Sequence, residues 1–565
     1  MTVRPHAWEH SYPDKLRWDA PIVTGSLPGL LDDAVADCPD RTMFDFRGWS
    51  ISYAGLRDEA NTFAAALLEA GLAKDQTVAL YLPNTPWHPV AFFGTLKAGA
   101  RLAHLSPLDA PRELAHKLTD SGARTIVTTN LGGMLAGAIK LMEAGLADRV
   151  IVGDDTRFGA DNPARESIPE REDVIRFDLF CANRTAPAAW PEIHEEDIAL
   201  LQYTGGTTGP AKGAMLTHAN LTASVASYDA WFEALYGDAG PSEKVLCVLP
   251  LFHIYALTTI LLLGIKRRAE IVLHMRFDPS QVLDDIQAKQ ITTFPGVPTM
   301  WIALANHPDL MKSDLSSLKR CSSGGAPLPV EVGQRFEGLT GQRLAGGWGM
   351  TETSPAGTNL LPFGEAKPGS IGMPLPGVEL QVVSLDDPHQ VLAAGEVGEL
   401  RVRGKNVTAG YWNKPQENAV AFADGYFLTG DVGYMAPDGY FYIVDRKKDM
   451  IISGGFNVYP QMIEQAIYEH PDVAECIVLG VEDEYRGEAA KAFVTLKTGA
   501  QPFTLEALVT FLEDRIGRHE LPAALEFRDE LPRTSVGKLS RKELRDVEKN
   551  KAATAQTTNT PDHQE

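Results

Sequence analysis

Residues 203–213 read YTGGTTGPAKG, with four glycines, three threonines and one lysine in eleven positions. The stretch follows the apolar run IALLQ and precedes AMLTHANL, where a helix can begin. Glycine gives up more backbone entropy on folding than any other residue, so a cluster of them must return something. The usual return is close approach of backbone N–H groups to an anion. Glycines permit positive φ, the threonine hydroxyls donate, and Lys212 adds charge. The Walker A pattern G-x-x-x-x-G-K-[ST] fails at two places, because Ala211 precedes Lys212 and Gly213 follows it. By itself the stretch suits a flexible phosphate-covering loop or, alternatively, a mobile hairpin turn.

Residues 1–200 mix helical and strand signals. Residues 58–72 (DEANTFAAALLEAGL) carry apolar residues at helical spacing, while 77–83, 124–129 and 149–154 read as buried strands. Alternation of this kind predicts an α/β fold with largely parallel sheets. Residues 154–197, rich in charge, Pro and Asn, read as a surface excursion, and the Gly- and Val-rich 366–411 as a compact β section. Near 445 a β-like run passes through DRKK into a Gly pair, and a small α/β pattern follows: a helix over 461–468, strands over 474–481 and 489–497, and an amphipathic helix over 505–516. The predicted division is a large N-terminal region over 1–444, a joint over 445–448, a small C-terminal α/β domain over 449–547, and a disordered polar tail over 548–565. A chain of 565 residues has room for more than one domain.

The net charge of −22 argues against nucleic acid as a main partner, since that needs a basic face. An anionic ligand needs only local cations, and 446–448 and 533–542 supply them. The best apolar run, LTTILLLGI, is far short of the roughly 20 residues that span a bilayer. The N-terminus lacks the apolar core of a signal peptide. Five scattered cysteines form no CxxC pair, which suits free thiols in a reducing cytoplasm and speaks against structural zinc.

Seven motifs then occur in one order: TGGTTGPAKG, PLFH (250–253), SGGAPL (323–328), GWGMTE (347–352), TGD (429–431), DRKKDMI (445–451) and PRTSVGK (532–538). Together they resemble the adenylate-forming superfamily of acyl-CoA synthetases, luciferases and peptide-synthetase adenylation domains, over about residues 25–546. LPLFHIYALT and SGGFNVYP look most like its fatty acyl-CoA ligase branch.

The resemblance implies roles residue by residue. Thr204, Gly205, Thr207, Thr208, Gly209 and Lys212 would cover the β- and γ-phosphates of ATP. Gly324, Gly325, Ala326 and Pro327 would line the adenine pocket, with Trp348 stacked on the ring where the family more often has Tyr; read alone, Trp348 is equally a core residue. Thr351 would bond the α-phosphate. Glu352 would face Mg²⁺, a hard cation that suits a carboxylate, although alone it reads as a helix-start charge. Asp431 and Arg446 would hold the ribose hydroxyls; without the resemblance Asp431 is a turn residue. Gly454 and Gly455 join the cofactor-binding set. His253, by itself a plausible core histidine, would lie beside the substrate carboxylate. Phe252, Ile254, Tyr255 and Leu257, with FPGVPTM (294–300), would wall the acyl pocket. Lys538, otherwise a surface lysine, would bridge the carboxylate and the α-phosphate, where charge builds during attack. Lys448 would be the hinge.

The implied function is an AMP-forming acid–thiol ligase. A carboxylic acid and MgATP give acyl-AMP and pyrophosphate, and coenzyme A then takes the acyl group. A medium- or long-chain fatty acid is expected, with a pimelate-like dicarboxylate or an aryl acid as the alternative. No residue suggests a covalent enzyme intermediate. A luciferase-like oxidative step and a nucleotide-binding scaffold with a dead site remain as rivals. A peptide-synthetase module would need a carrier domain, and only twenty residues follow Arg545. The expected setting is cytoplasmic, as monomer or homodimer, compatible with peripheral membrane contact.

Overall fold

The computed structural model describes residues 6–159, 165–204, 210–237, 242–454, 456–483, 485–534 and 539–558. Two seven-stranded sheets dominate the large region. One runs, edge to edge, Val174–Arg176, Arg149–Gly153, Thr125–Thr129, Thr77–Tyr81, Arg101–Leu105, Ile198–Thr204 and Lys212–Thr217. The other runs Leu344–Gly346, Arg320–Ser323, Thr293–Gly296, Lys244–Cys247, Glu270–Leu273, Thr42–Phe46 and Trp49–Ser52. In each, six strands are parallel and the last is an antiparallel edge. The predicted α/β class with parallel sheets is thus what forms.

Val/Ile/Leu-rich strands buried on both faces need helices on both sides. Helices Leu27–Asp37, Tyr53–Glu69, Trp87–Lys97 and His218–Tyr236 supply a shared layer and pack on one another. Trp87–Lys97 is buried from Trp87 to Leu96, as a helix apolar all round must be. The run 257–265 lies in a buried helical stretch against His218–Tyr236. Among the described residues no helix is long and apolar enough to cross a membrane.

A third, antiparallel sheet holds Glu379–Val383, Gly398–Arg403, Tyr426–Met435, Phe441–Arg446, Ser370–Pro374 and Thr358–Asn359. It contains the predicted β section and extends it on both sides. The small region has its own sheet of five strands, with Gly487–Leu496 at its centre and the long Val473–Asp483 paired along it at one edge. Its helices Pro460–Tyr468 and Leu505–Leu512 cover a separate core around Ile463, Val478 and Leu508.

Three expectations need correction. The segment 154–197 is not all excursion: Val174–Arg176 is an edge strand, and Phe177 and Phe180 are buried against Phe63. The stretch after Lys212 continues as strand to Thr217, and the helix begins only at His218, with the Thr217 hydroxyl accepting from Asn220 N–H. The tail is not free from 548, because helix Arg541–Thr558 runs through it. Leu544 is buried, Glu548 pairs with Lys491, and Lys551 pairs with Glu526 and Glu548. A polar sequence reads as disordered, but partners elsewhere in the chain hold this one.

Candidate active site

In open α/β sheets, ligands bind beyond the carboxyl ends of the strands. Three of the motifs leave the second parallel sheet at such ends, residues 250–253 after Lys244–Cys247, 324–327 after Arg320–Ser323 and 347–352 after Leu344–Gly346, and Thr204, Ala211 and Lys212, which flank the glycine-rich stretch, stand at the end of Ile198–Thr204 in the first. They meet at one cleft of about 1500 Å³. Thr204, Lys212, His253, Gly324, Gly325, Ala326, Pro327, Trp348, Thr351, Glu352, Asp431, Arg446 and Lys448 all line it. Gly205, Thr207, Thr208, Gly209, Gly455 and Lys538 lie outside the described residues. Thr534 and Leu539, the described residues on either side of the Lys538 segment, line the same cleft. Gly454 does not: it sits exposed in the turn between Ile451–Ser453 and Phe456–Val458, at φ 59°, its N–H on the carbonyl of Arg486.

Crowding explains the GWG triplet. A Cβ on Gly347 would stand 2.0 Å from the Thr358 carbonyl oxygen, and one on Gly349 would stand 1.5 Å from that of Pro355. Between them Trp348 is buried, and its indole Nε1 donates to Asp431 Oδ2 at 2.7 Å. Asp431 lies opposite Arg446 on the neighbouring strand, with Oδ1 at 3.4 Å from Arg446 Nε. Its carboxyl is pushed up by burial, against the pull of Arg446 and the indole N–H. Trp348, Asp431 and Arg446 therefore form one bonded unit, which their separation in sequence conceals.

Glu352 sits on the short turn Thr351–Thr353 and is buried. Burial raises its carboxyl above the ordinary glutamate range, while the Tyr411 hydroxyl, donating to Oε1 at 2.6 Å, opposes the shift. Lys212 Nζ lies 5.0 Å from the centre of the same Tyr411 ring. Tyr411 is fixed in turn by the edge strand: Met215 N–H donates to the Gly410 carbonyl and Trp412 N–H to that of Gly213. Beside Lys212, His116 Nε2 donates to the Ala211 carbonyl at 2.9 Å.

His253 caps the helical stretch that begins at Ile254, its Nδ1 accepting from Tyr255 N–H at 3.2 Å. With that bond a neutral ring carries its proton on Nε2. The carbonyl of Phe252 beside it accepts from Gln202 Nε2 at 3.1 Å. Gln202 Oε1 must then accept from His104 Nδ1, at 3.0 Å, so His104 Nε2 accepts from His88 Nε2, at 3.2 Å. Burial lowers the pKa of both rings, His104 to about 4, so this relay is neutral.

Sequence reasoning missed Tyr411, Gln202, His104 and His116. Tyr411 had one visible signal, the aromatic pair Tyr411-Trp412 within a Gly- and Val-rich stretch. The acyl wall also needs correction. Phe252, Ile254 and Tyr255 face the cleft, but Leu257 is fully buried on the helix's far side. Tyr255, Thr259 and Leu263, spaced by four, share the cleft face. Pro295 and Val297 face it too, whereas Phe294, one strand position out of phase, is turned into the core.

The large and small regions meet around 445–449. Lys447 Nζ is 3.0 Å from Glu399 Oε2 in the large region's sheet. Two residues on, Asp449 pairs with Arg545 at 2.9 Å and with Arg541 at 3.7 Å in the last helix. Asp445 Oδ2 accepts from Gln461 N–H, at the start of helix Pro460–Tyr468, at 2.8 Å.

Comparison with known proteins agrees with this construction. A long-chain-fatty-acid–CoA ligase of Bacillus subtilis is 40% identical over 554 residues, covering 96% of this chain and 98% of that protein. The solved structure of ATP-bound MatB from Rhodopseudomonas palustris is 28% identical, with a TM-score of 0.82 over 93% of this chain and 99% of that one. Its apo form superposes less closely, with a TM-score of 0.73. The AMP-binding enzyme family matches residues 31–412, and the AMP-binding enzyme C-terminal domain matches residues 462–538. The chain belongs to the AMP-binding enzyme family.

Proposed function

We propose that the protein is an ATP-dependent fatty acyl-CoA ligase, which joins a fatty acid to AMP with release of pyrophosphate and then passes the acyl group to coenzyme A. The observation that carries this reading is the convergence on one cleft of the Trp348–Asp431–Arg446 unit, the Glu352–Tyr411–Lys212 group and His253. Trp348 offers a flat apolar face to adenine, and Asp431 offers acceptors to vicinal ribose hydroxyls. Lys212 and the glycine-rich loop meet the terminal phosphates, and Thr351 meets the α-phosphate. His253, in the cleft wall, would lie beside the acid's carboxylate. Orientation and charge stabilisation, rather than a covalent enzyme intermediate, do the catalysis.

The site fits Mg²⁺. One buried carboxylate, Glu352, lines the cleft with its Oε1 engaged by the Tyr411 hydroxyl. No group of three or more metal-ligating side chains occurs among the described residues. Glu352 would hold the ion together with phosphate oxygens and water, oxygen ligands that suit a hard cation. When bound, the ion would neutralise charge on the phosphates.

The two steps need different surroundings, and we assign the change to Lys448, between 1–444 and the small domain 449–547. Lys447 is tied to one region and Asp449 to the other, which leaves Lys448 as the residue between the two anchorages. Lys538 then serves step one from the small domain. The closer match to ATP-bound than to apo MatB favours this pose as that of step one.

The test is pyrophosphate release from ATP across C4–C18 fatty acids, dicarboxylates and benzoates, followed by thioester formation on adding coenzyme A. Pyrophosphate release that depends on a fatty acid supports the reading. Its absence with every acid would leave a nucleotide-binding protein without ligase chemistry.

A further inference from the structure

The apolar part of the cleft runs down the face of the second parallel sheet, away from Gly324 and His253. Strand register fixes its levels. Val245, Thr293 and Arg320 pair side by side, Pro295 and Ser322 form the next row up, and Gly324 lies beyond the strand end at the mouth. Paired positions on parallel strands present side chains to the same face. The opposite wall is helix His218–Tyr236 with the Tyr255, Thr259 and Leu263 stripe.

The lowest row is charged. Arg320 donates from Nε and Nη2 to Thr293 Oγ1 at 3.1 and 2.9 Å and forms an ion pair with Glu243. Its guanidinium lies 4.8 Å from the Phe232 ring centre and 5.6 Å from that of Tyr236. Glu243 also pairs with Arg267 at 3.4 Å, and Arg267 pairs with Asp229 at 2.9 Å. The side chains of Arg320, Glu243 and Arg267 are only 12%, 9% and 4% exposed. The network is buried, and each charge in it already has an opposite one.

We propose that the Arg320–Glu243 pair is the floor of the acyl chamber and sets the chain length of the acid, favouring unbranched monocarboxylic acids of medium length. This rests on the ligase reading. Four residues at about 3.3 Å each put the floor about 13 Å below Gly324, close to an extended decanoyl chain and well short of palmitoyl. A longer tail has to part a buried, satisfied ion pair, which is unfavourable because each ion is left desolvated. A distal carboxylate gains nothing at this floor, because Glu243 already occupies Arg320.

The test is the kcat/KM for pyrophosphate release over hexanoate, decanoate, dodecanoate, palmitate and decanedioate. The wild type should favour decanoate over palmitate by at least ~10-fold, the scale on which an apolar pocket discriminates. Arg320→Met removes the charge, leaves Glu243 its Arg267 partner, and should raise the palmitate-to-decanoate ratio by ~10-fold or more. Val245→Phe, at floor level, should lower dodecanoate more than hexanoate, and it decides the matter if Arg320→Met folds poorly. Wild-type use of palmitate equal to decanoate, a preference for decanedioate, or ratios unmoved by both variants would overturn the floor while leaving the ligase reading intact. No pyrophosphate release with any acid would remove that reading, and the floor with it.

Discussion

Asp431 in the large region is held by Trp348, Arg446 and the Thr429 hydroxyl, all within one continuous frame. Glu352 is held by Tyr411, and Tyr411 by the edge strand of the neighbouring sheet. On the small region the cleft-facing stretch around Thr534 and Leu539 is anchored differently. Ser540 N–H reaches the Pro532 carbonyl, and Arg541 binds Glu464 and the Val478 carbonyl. All of those partners belong to the small region itself. One set is fixed to the floor of the cleft, and the other to the small region, for which we proposed a turn about Lys448. On the proposed reading the contrast separates two jobs: nucleotide and acid need a place already formed, whereas the charge that assists attack would arrive and then leave.

The sharpest way to break this contrast is Lys538→Ala. Acyl-AMP formation should fall by ~10²–10³-fold, the scale of losing one transition-state charge stabiliser. Thioester formation from supplied acyl-AMP should survive. Equal loss in both half-reactions, measured separately, would show that the small region also builds the static site.

Lys448→Pro is next. Proline holds φ near −65° and so restricts the turn between the two anchorages. Acyl-AMP and pyrophosphate should still form, while thioester formation falls ~10²-fold, the cost of a misplaced reactive geometry. Normal thioester formation in this variant excludes movement at this residue.

Smaller effects are expected within the fixed frame. Tyr411→Phe deletes a charge-assisted hydrogen bond to Glu352, which is worth about 1.5–3 kcal/mol. ATP-dependent pyrophosphate release should drop by roughly 10-fold or more in kcat/KM, and thioester formation from acyl-AMP should change little. Thioester formation impaired to the same degree would mean that Tyr411 supports the whole cleft rather than the phosphate end.

How much of this was readable beforehand varies with the kind of information each residue carries. Trp348, Asp431 and Glu352 were singled out only through the ordered set of motifs they belong to, since each read alone is a core residue, a turn residue or a helix-start charge. The bond from Trp348 to Asp431 was not legible at all, because it joins a loop to a strand residue 83 positions further along the chain. His104 and Gln202 were invisible for a related reason: each sits in an apolar strand and bonds to a residue on a different element. The error at Leu257 was avoidable, since a four-residue period from Tyr255 selects Thr259 and Leu263. The helix over 548–558 was not readable from composition, because its partners Lys491 and Glu526 belong to the sheet beneath it.

The smallest expected effect tests the contact between the two regions. Asp445 belongs to the last strand of the large sheet and is buried, yet its Oδ2 accepts from Gln461 N–H at the first turn of a small-region helix. A carboxylate at a helix N-terminus is favourable because the unpaired N–H groups there carry partial positive charge. This bond joins residues on opposite sides of Lys448, so rotation there must break it, whereas the Asp449–Arg545 pair travels with the small region. Asp445 therefore favours the present pose over any other, and a change there shifts the balance between poses by no more than the bond is worth. Asp445→Asn keeps the shape and removes the charge, so the loss should lie at about 0.3–1 kcal/mol, or roughly two- to fivefold. Acyl-AMP formation should slow by that factor, and thioester formation from supplied acyl-AMP should hold steady or quicken. A variant that slows both steps alike would mean that Asp445 supports the fold on both sides of the joint and has no part in choosing between poses.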